Sequence, residues 1–119
     1  MQKIYDEKDR VTAKAERLCV WLGEGWQSRV WQNMGWHFEA HWKGLIHVYP
    51  SSRRDGTWFC MIGECGMAAS LAPDKTFCSP DPKQVVRLTV AAYKAKWLAM
   101  RAEQDQLVAA GEECVKEET

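Results

Sequence analysis

The chain has 119 residues, 46% of them hydrophobic, with 16 basic and 16 acidic side chains. That balance excludes a fully disordered chain and the positive charge of a strongly basic nucleic-acid binder, and the length fits one domain. No stretch reaches the roughly 18 apolar residues of a membrane span, and the N-terminal MQKIYDEKDR lacks a signal peptide's apolar core, so a cytoplasmic protein without a membrane partner is expected.

In chain order, the first expected element is a helix over residues 5–22. Ile4, Val11, Ala15, Leu18 and Leu22 share one stripe. Asp6, Glu7 and Asp9 fall where carboxylates favour a helix N-terminus, and Gly23 and Gly25 end it. Residues 26–33 read as an ordered connection with room for a short strand or helical turn, because Trp21, Trp26, Trp31 and Trp36 recur every fifth residue, a period no regular element has.

Residues 36–42 alternate Trp36, Phe38, Ala40 and Trp42 with His37, Glu39 and His41, the pattern of a half-buried strand. A second strand covers residues 45–49. With Gly44 left-handed in a three-residue loop, His41 faces Leu45, Glu39 faces His47 and His37 faces Tyr49. Trp36, Phe38, Ala40, Ile46 and Val48 then line the apolar side. Pro50–Gly56 is a turn closed by Asp55-Gly56, Thr57–Gly63 a third strand, and residues 64–78 a loop whose 67–71 piece is expected near the sheet edge.

Ser79 or Asp81 caps the last helix and Pro82 suits its first turn. Val86, Val90, Tyr93, Trp97, Met100 and Leu107 then repeat at fours and threes over residues 81–109, skipping Gln104. Gly111 is expected to stop it. The reading is thus an α+β domain over residues 1–110, with a three-stranded antiparallel sheet between an N-terminal and a long C-terminal helix (α-β-β-β-α), followed by a frayed acidic tail, 111–119. Both helices are expected on one face of the sheet.

Four groups of side chains bear on function. His37, Glu39, His41 and His47 share the polar face of the hairpin and offer imidazole and carboxylate ligands; they match no established ligand signature, and a solvated sheet face needs such residues anyway. Cys60, Cys65 and Cys78 are too widely spaced for a usual zinc site, and five cysteines without a secretory signal imply reduced thiols. Lys83, Arg87, Lys94 and Arg101 form a stripe along the last helix that could meet phosphates or simply snorkel past the core. Of the seven Trp, most are expected in the core, with Trp31, Trp42 or Trp58 partly exposed. Trp58 with Arg53 and Arg54 at the hairpin tip is the expected anchor for a protein partner.

The helix, three strands, helix order resembles the double-stranded RNA-binding domain. Of the basic cluster that opens that family's last helix, only Lys83 and Arg87 have counterparts, and Asp81 opposes them, so its RNA function is not carried over. The segment RVWQNMGWHFEAHWKG (residues 29–44), a following strand ending in Tyr-Pro and a proline-containing cap on the last helix resemble small bacteriophage and prophage proteins of unassigned activity. That resemblance implies an accessory protein acting on host machinery, an anti-defence or anti-CRISPR-like inhibitor being one such type. The expectation is therefore a non-enzymatic protein without cofactor that binds another protein. Nucleic-acid binding through the helix stripe and metal binding through the histidine face are the alternatives. The last helix is longer than the sheet it must cover, which leaves its end free to form a homodimer.

Overall fold

A computed structural model describes residues 2–51, 55–63 and 77–118. Helix α1 (Gln2–Leu22) leads into strands β1 (Trp26–Gln32), β2 (Trp36–Trp42), β3 (Ile46–Pro50), β4 (Trp58–Ile62) and β5 (Cys78–Ser79), and helix α2 (Pro82–Glu118) closes the chain. The strands form one antiparallel meander in the order β1-β2-β3-β4-β5. The class is α+β as expected, but the sheet has five strands rather than three, which removes the likeness to the double-stranded RNA-binding topology.

The expected connection at 26–33 is the first of the added strands. It pairs along its whole length with β2, from Trp26 opposite Trp42 to Gln32 opposite Trp36. Its alternation is blurred because Ser28 lies on the helix-covered side while Trp31 lies on the other. The second addition, β5, is two residues long and edges β4 through Trp58–Ser79 and Phe59–Cys78. The expected docking of residues 67–71 lies outside the described residues.

The β2–β3 register is displaced by two residues from expectation: Ala40 faces Val48, His41 faces His47 and Trp42 faces Ile46. Lys43 and Gly44 both take positive φ, 54° and 68°, and the Leu45 amide bonds the Trp42 carbonyl at 3.1 Å. The tight turn is therefore centred on Lys43-Gly44, and Leu45 is left as an extra residue before the ladder begins. A shift of two preserves which side chains share a face, so Phe38, Ala40 and Val48 enter the core as expected.

Both helices lie on that face. Ala15 and Leu18 of α1, Phe38, Ala40, Val48 and Cys60 of the sheet, and Val85 of α2 make one buried cluster, with Val11, Leu22, Trp26, Ile46, Trp58 and Val86 packed around it. The fully buried cluster thus holds one aromatic ring, Phe38, with Trp26 and Trp58 at its margin. None of the seven Trp is fully buried; Trp21 and Trp97, both on helices, are the most exposed, and the expected tryptophan core is not formed. Several rings are instead sheltered by cations, with Lys8 Nζ 5.8 Å from the Trp36 ring and Lys43 Nζ 4.4 Å from the Trp42 ring.

Helix ends follow local chemistry. The Gly23 amide returns to the Cys19 carbonyl at 3.0 Å to close α1, which starts at Gln2, so Asp6, Glu7 and Asp9 lie past its first turn. Asp81 caps α2: its Oδ1 accepts from the Lys83 amide at 2.9 Å, while Ser79 Oγ accepts from the Asp81 amide at 3.1 Å. Gly111 does not stop α2, which continues to Glu118 through the expected tail. Its neighbours Ala109, Ala110, Glu112 and Glu113 are good helix formers and offset the ~1 kcal/mol cost of one interior glycine.

Candidate functional site

Both helices lie on one face of the sheet, and among the described residues no helix or strand packs on the other. Strand alternation sends Gln27, Arg29 and Trp31 of β1, His37, Glu39 and His41 of β2, His47 and Tyr49 of β3, Phe59 and Met61 of β4, and Cys78 of β5 to that face. Four aromatic side chains gather at one end. Trp31 stacks on His37 with centroids 5.7 Å apart, Tyr49 stacks on Phe59 at 5.1 Å, and Trp31 meets Tyr49 edge-on at 6.5 Å.

The sheet is split at the same end. Past Ala40–Val48, β2 and β3 no longer pair: Trp36 to Glu39 stay with β1, while Tyr49 and Pro50 stay with β4. The separation opens a notch of about 340 Å³ between the strands. Trp31, His37, Tyr49 and Phe59 line it from the uncovered side, and Trp36, Phe38, Val11 and the exposed Lys14 from the helix side. No carboxylate is among the described residues that line it. Arg29 stands beside it, its guanidinium 5.1 Å from the Trp31 ring.

The four residues of the expected metal set do share this face, but they are engaged separately. His47 Nδ1 lies in hydrogen-bond contact with Glu39 Oε2 at 3.0 Å, and its Nε2 with the Gly44 carbonyl at 3.1 Å. Arg29 lies 3.6 Å from the other carboxylate oxygen of Glu39. His37 donates from Nε2 to the Asn33 carbonyl at 2.7 Å, and His41 Nδ1 is buried without a hydrogen bond. Among the described residues no three His, Cys, Asp or Glu come together as a metal site. Of the expected cysteines, Cys60 sits in the core beside Val48, whereas Cys78 is paired with Phe59 on the opposite face, and Cys65 lies outside the described residues. Burial pushes the Cys60 thiol up to about 11, far from a nucleophile's range.

Of the expected protein anchor, Trp58 points to the helix side, half-buried against the core and edge-on to Phe38 at 6.1 Å; Arg53 and Arg54 lie outside the described residues. Lys83, Arg87, Lys94 and Arg101 are all exposed along α2, on the side of the sheet away from the aromatic face. No described helix is long and apolar enough to cross a membrane. No family model, curated protein or solved structure matches the chain.

The notch residues Trp31, Tyr49 and Phe59 were not singled out by sequence as one site. Their only common signal is odd-numbered aromatics in consecutive strands, which becomes visible once β1 is recognised as a strand.

Proposed function

We propose that this protein is a non-enzymatic binding module that holds a single-stranded nucleic acid on its uncovered sheet face, with one unstacked base in the notch between β2 and β3. The notch carries the reading. Its volume of about 340 Å³ falls in the range of small-ligand pockets, and its exposed side is made of aromatic rings, which accept any base face. Arg29 flanks it as a phosphate partner, and Glu39, the one carboxylate that the described residues place on this face, is already held by His47 and Arg29. Duplex bases hide their faces in the stack, so a platform of this kind selects single strands.

The test is fluorescence anisotropy with labelled single-stranded DNA and RNA oligonucleotides and matched duplexes, over a range of salt. Single strands should bind more tightly than duplexes. Trp31→Ala and Phe59→Ala should each weaken binding by about 1–3 kcal/mol, the worth of one stacked base, without loss of the melting transition. Absence of binding to every oligonucleotide would overturn the proposal. A stoichiometric protein captured from nuclease-treated bacterial lysate would then favour the accessory-protein reading, in which the same aromatic face anchors a protein.

A further inference from the structure

We propose that the projecting part of α2 pairs with the same segment of a second copy of this chain as an antiparallel two-stranded coiled coil. The surface is distinct from the aromatic notch, and the inference does not depend on what the notch binds.

Beyond Lys96 every described residue of α2 is exposed, to Lys116. A 37-residue helix is about 55 Å long, and the molecule reaches 78 Å along its longest axis against 27 and 26 Å across. More than half of α2 therefore stands clear of the sheet. A polar helix could do so, but this one keeps an apolar stripe there. Trp97 is 46% exposed, Met100 38% and Leu107 67%. With Tyr93 and Cys114 they follow a heptad seam, in which Gln104 and Gly111 fill the remaining positions. Most helical stability in proteins comes from packing an apolar face, and a helix with an apolar seam is stabilised by a helix laid against it.

Charge identifies the occupant and its direction. Pro82–Arg101 carries five basic and no acidic residues, whereas residues 102–118 carry six acidic and one basic. A parallel pair would set like charge against like along its whole length. An antiparallel pair runs Lys94, Lys96 and Arg101 of each helix along the acidic end of the other, so the segment is complementary to itself. The register that uses only the projecting length places Trp97 across from Cys114 of the second copy, Met100 across from Gly111 and Gln104 across from Leu107. Large residues then meet small ones in the outer layers, and Lys94 and Lys96 run beside the end that bears Glu112 and Glu113. The two sheet domains sit at opposite ends, with both notches free.

The experiment is sedimentation velocity on the full chain across the micromolar range, repeated after mild oxidation with disulfides mapped by mass spectrometry. A reversible dimer is expected, weakened by high salt. Leu107→Glu should weaken it at least tenfold and leave the melting of the sheet domain in place, since Leu107 lies outside the core. Trp97→Cys should cross-link to Cys114 of the second copy on oxidation. A monomer at high micromolar concentration would overturn the proposal, as would a dimer indifferent to Leu107→Glu. A ready Cys114–Cys114 disulfide in the unmutated protein would place the helices parallel and overturn it equally.

Discussion

The carboxylate of Glu39 is 1% exposed, and His47 Nδ1 lies 3.0 Å from its Oε2. This is a buried hydrogen bond on the sheet face that no described helix covers. The other ring nitrogen of His47 lies 3.1 Å from the Gly44 carbonyl, so the imidazole is held at both ends. Arg29, 61% exposed, is too solvated to replace it. His47→Leu should therefore cost about 1–3 kcal/mol by leaving the buried Glu39 side chain short of a hydrogen-bond partner. Glu39→Leu/His47→Leu should recover a large part of that loss, because neither buried polar group is left unmatched. Urea denaturation of the two variants decides it: equal losses would mean that packing, not hydrogen bonding, governs the site.

Gly25 sits where the backbone passes close beneath an indole. Its φ is +90°, and a Cβ there would lie 2.8 Å from Trp42 Nε1. The close approach lets the α1–β1 connection pass under the Trp42 ring, which pairs across the ladder with Trp26. Gly25→Ala meets both a disfavoured backbone region and the indole, and should destabilise by about 1–3 kcal/mol. Gly23→Ala has the same backbone problem but no neighbour within 4 Å, so it should cost less. Thermal melts of the pair separate the two contributions.

The parts of this fold that were legible in the sequence are those in which one physical signal acts alone. β2 was legible because apolar and polar residues alternate cleanly from Trp36 to Trp42, and the start of α2 because Ser79, Asp81 and Pro82 form a cap. β1 was not, since Trp31 faces away from the core and Ser28 faces the helices, which cancels the alternation. The β2–β3 register differs by two because Lys43, a non-glycine residue, joins Gly44 at positive φ. The extent of α2 was hidden by Gly111, whose local cost is outweighed by its neighbours. The candidate site was half legible. The shared face of His37, Glu39, His41 and His47 followed from strand parity. The notch did not, because it exists only where the β2–β3 ladder stops, and its rings come from strands far apart in the chain.

Cys60 gives a pH-dependent prediction. Burial raises its thiol from the ordinary 9.0 to about 11, opposed by the neighbouring Thr89 hydroxyl. The folded protein keeps the thiol neutral where the unfolded chain has already lost the proton. The associated stability is fully present below pH 9.0 and is lost as pH rises to about 11. That window corresponds to about 3 kcal/mol. Cys60→Ala should flatten the fall relative to the unmutated protein, compared by urea denaturation at about pH 8.5 and about pH 10.5, on either side of most of the window. Parallel curves would show that other groups account for the alkaline loss. Consistent with this, iodoacetamide at neutral pH should modify the exposed Cys78 and spare Cys60.

Arg29 separates the two contributions expected at the notch. Its guanidinium lies over Trp31 and its charge is shared with Glu39, yet it remains largely exposed beside the aromatic rings. If it meets a phosphate, Arg29→Ala should weaken single-strand binding and make log K fall less steeply with log salt, by about 0.7 for one phosphate no longer neutralised. Arg29→Lys should keep the slope but lose affinity, since an ammonium carries the charge without the planar stacking of a guanidinium. Phe59→Ala should do the reverse of the alanine variant at Arg29, reducing affinity at every salt concentration by a similar factor with the slope unchanged. Titrations at four or more salt concentrations distinguish these patterns. An Arg29→Ala variant with an unaltered slope would remove phosphate pairing by this residue from the mechanism and leave stacking alone to hold the strand.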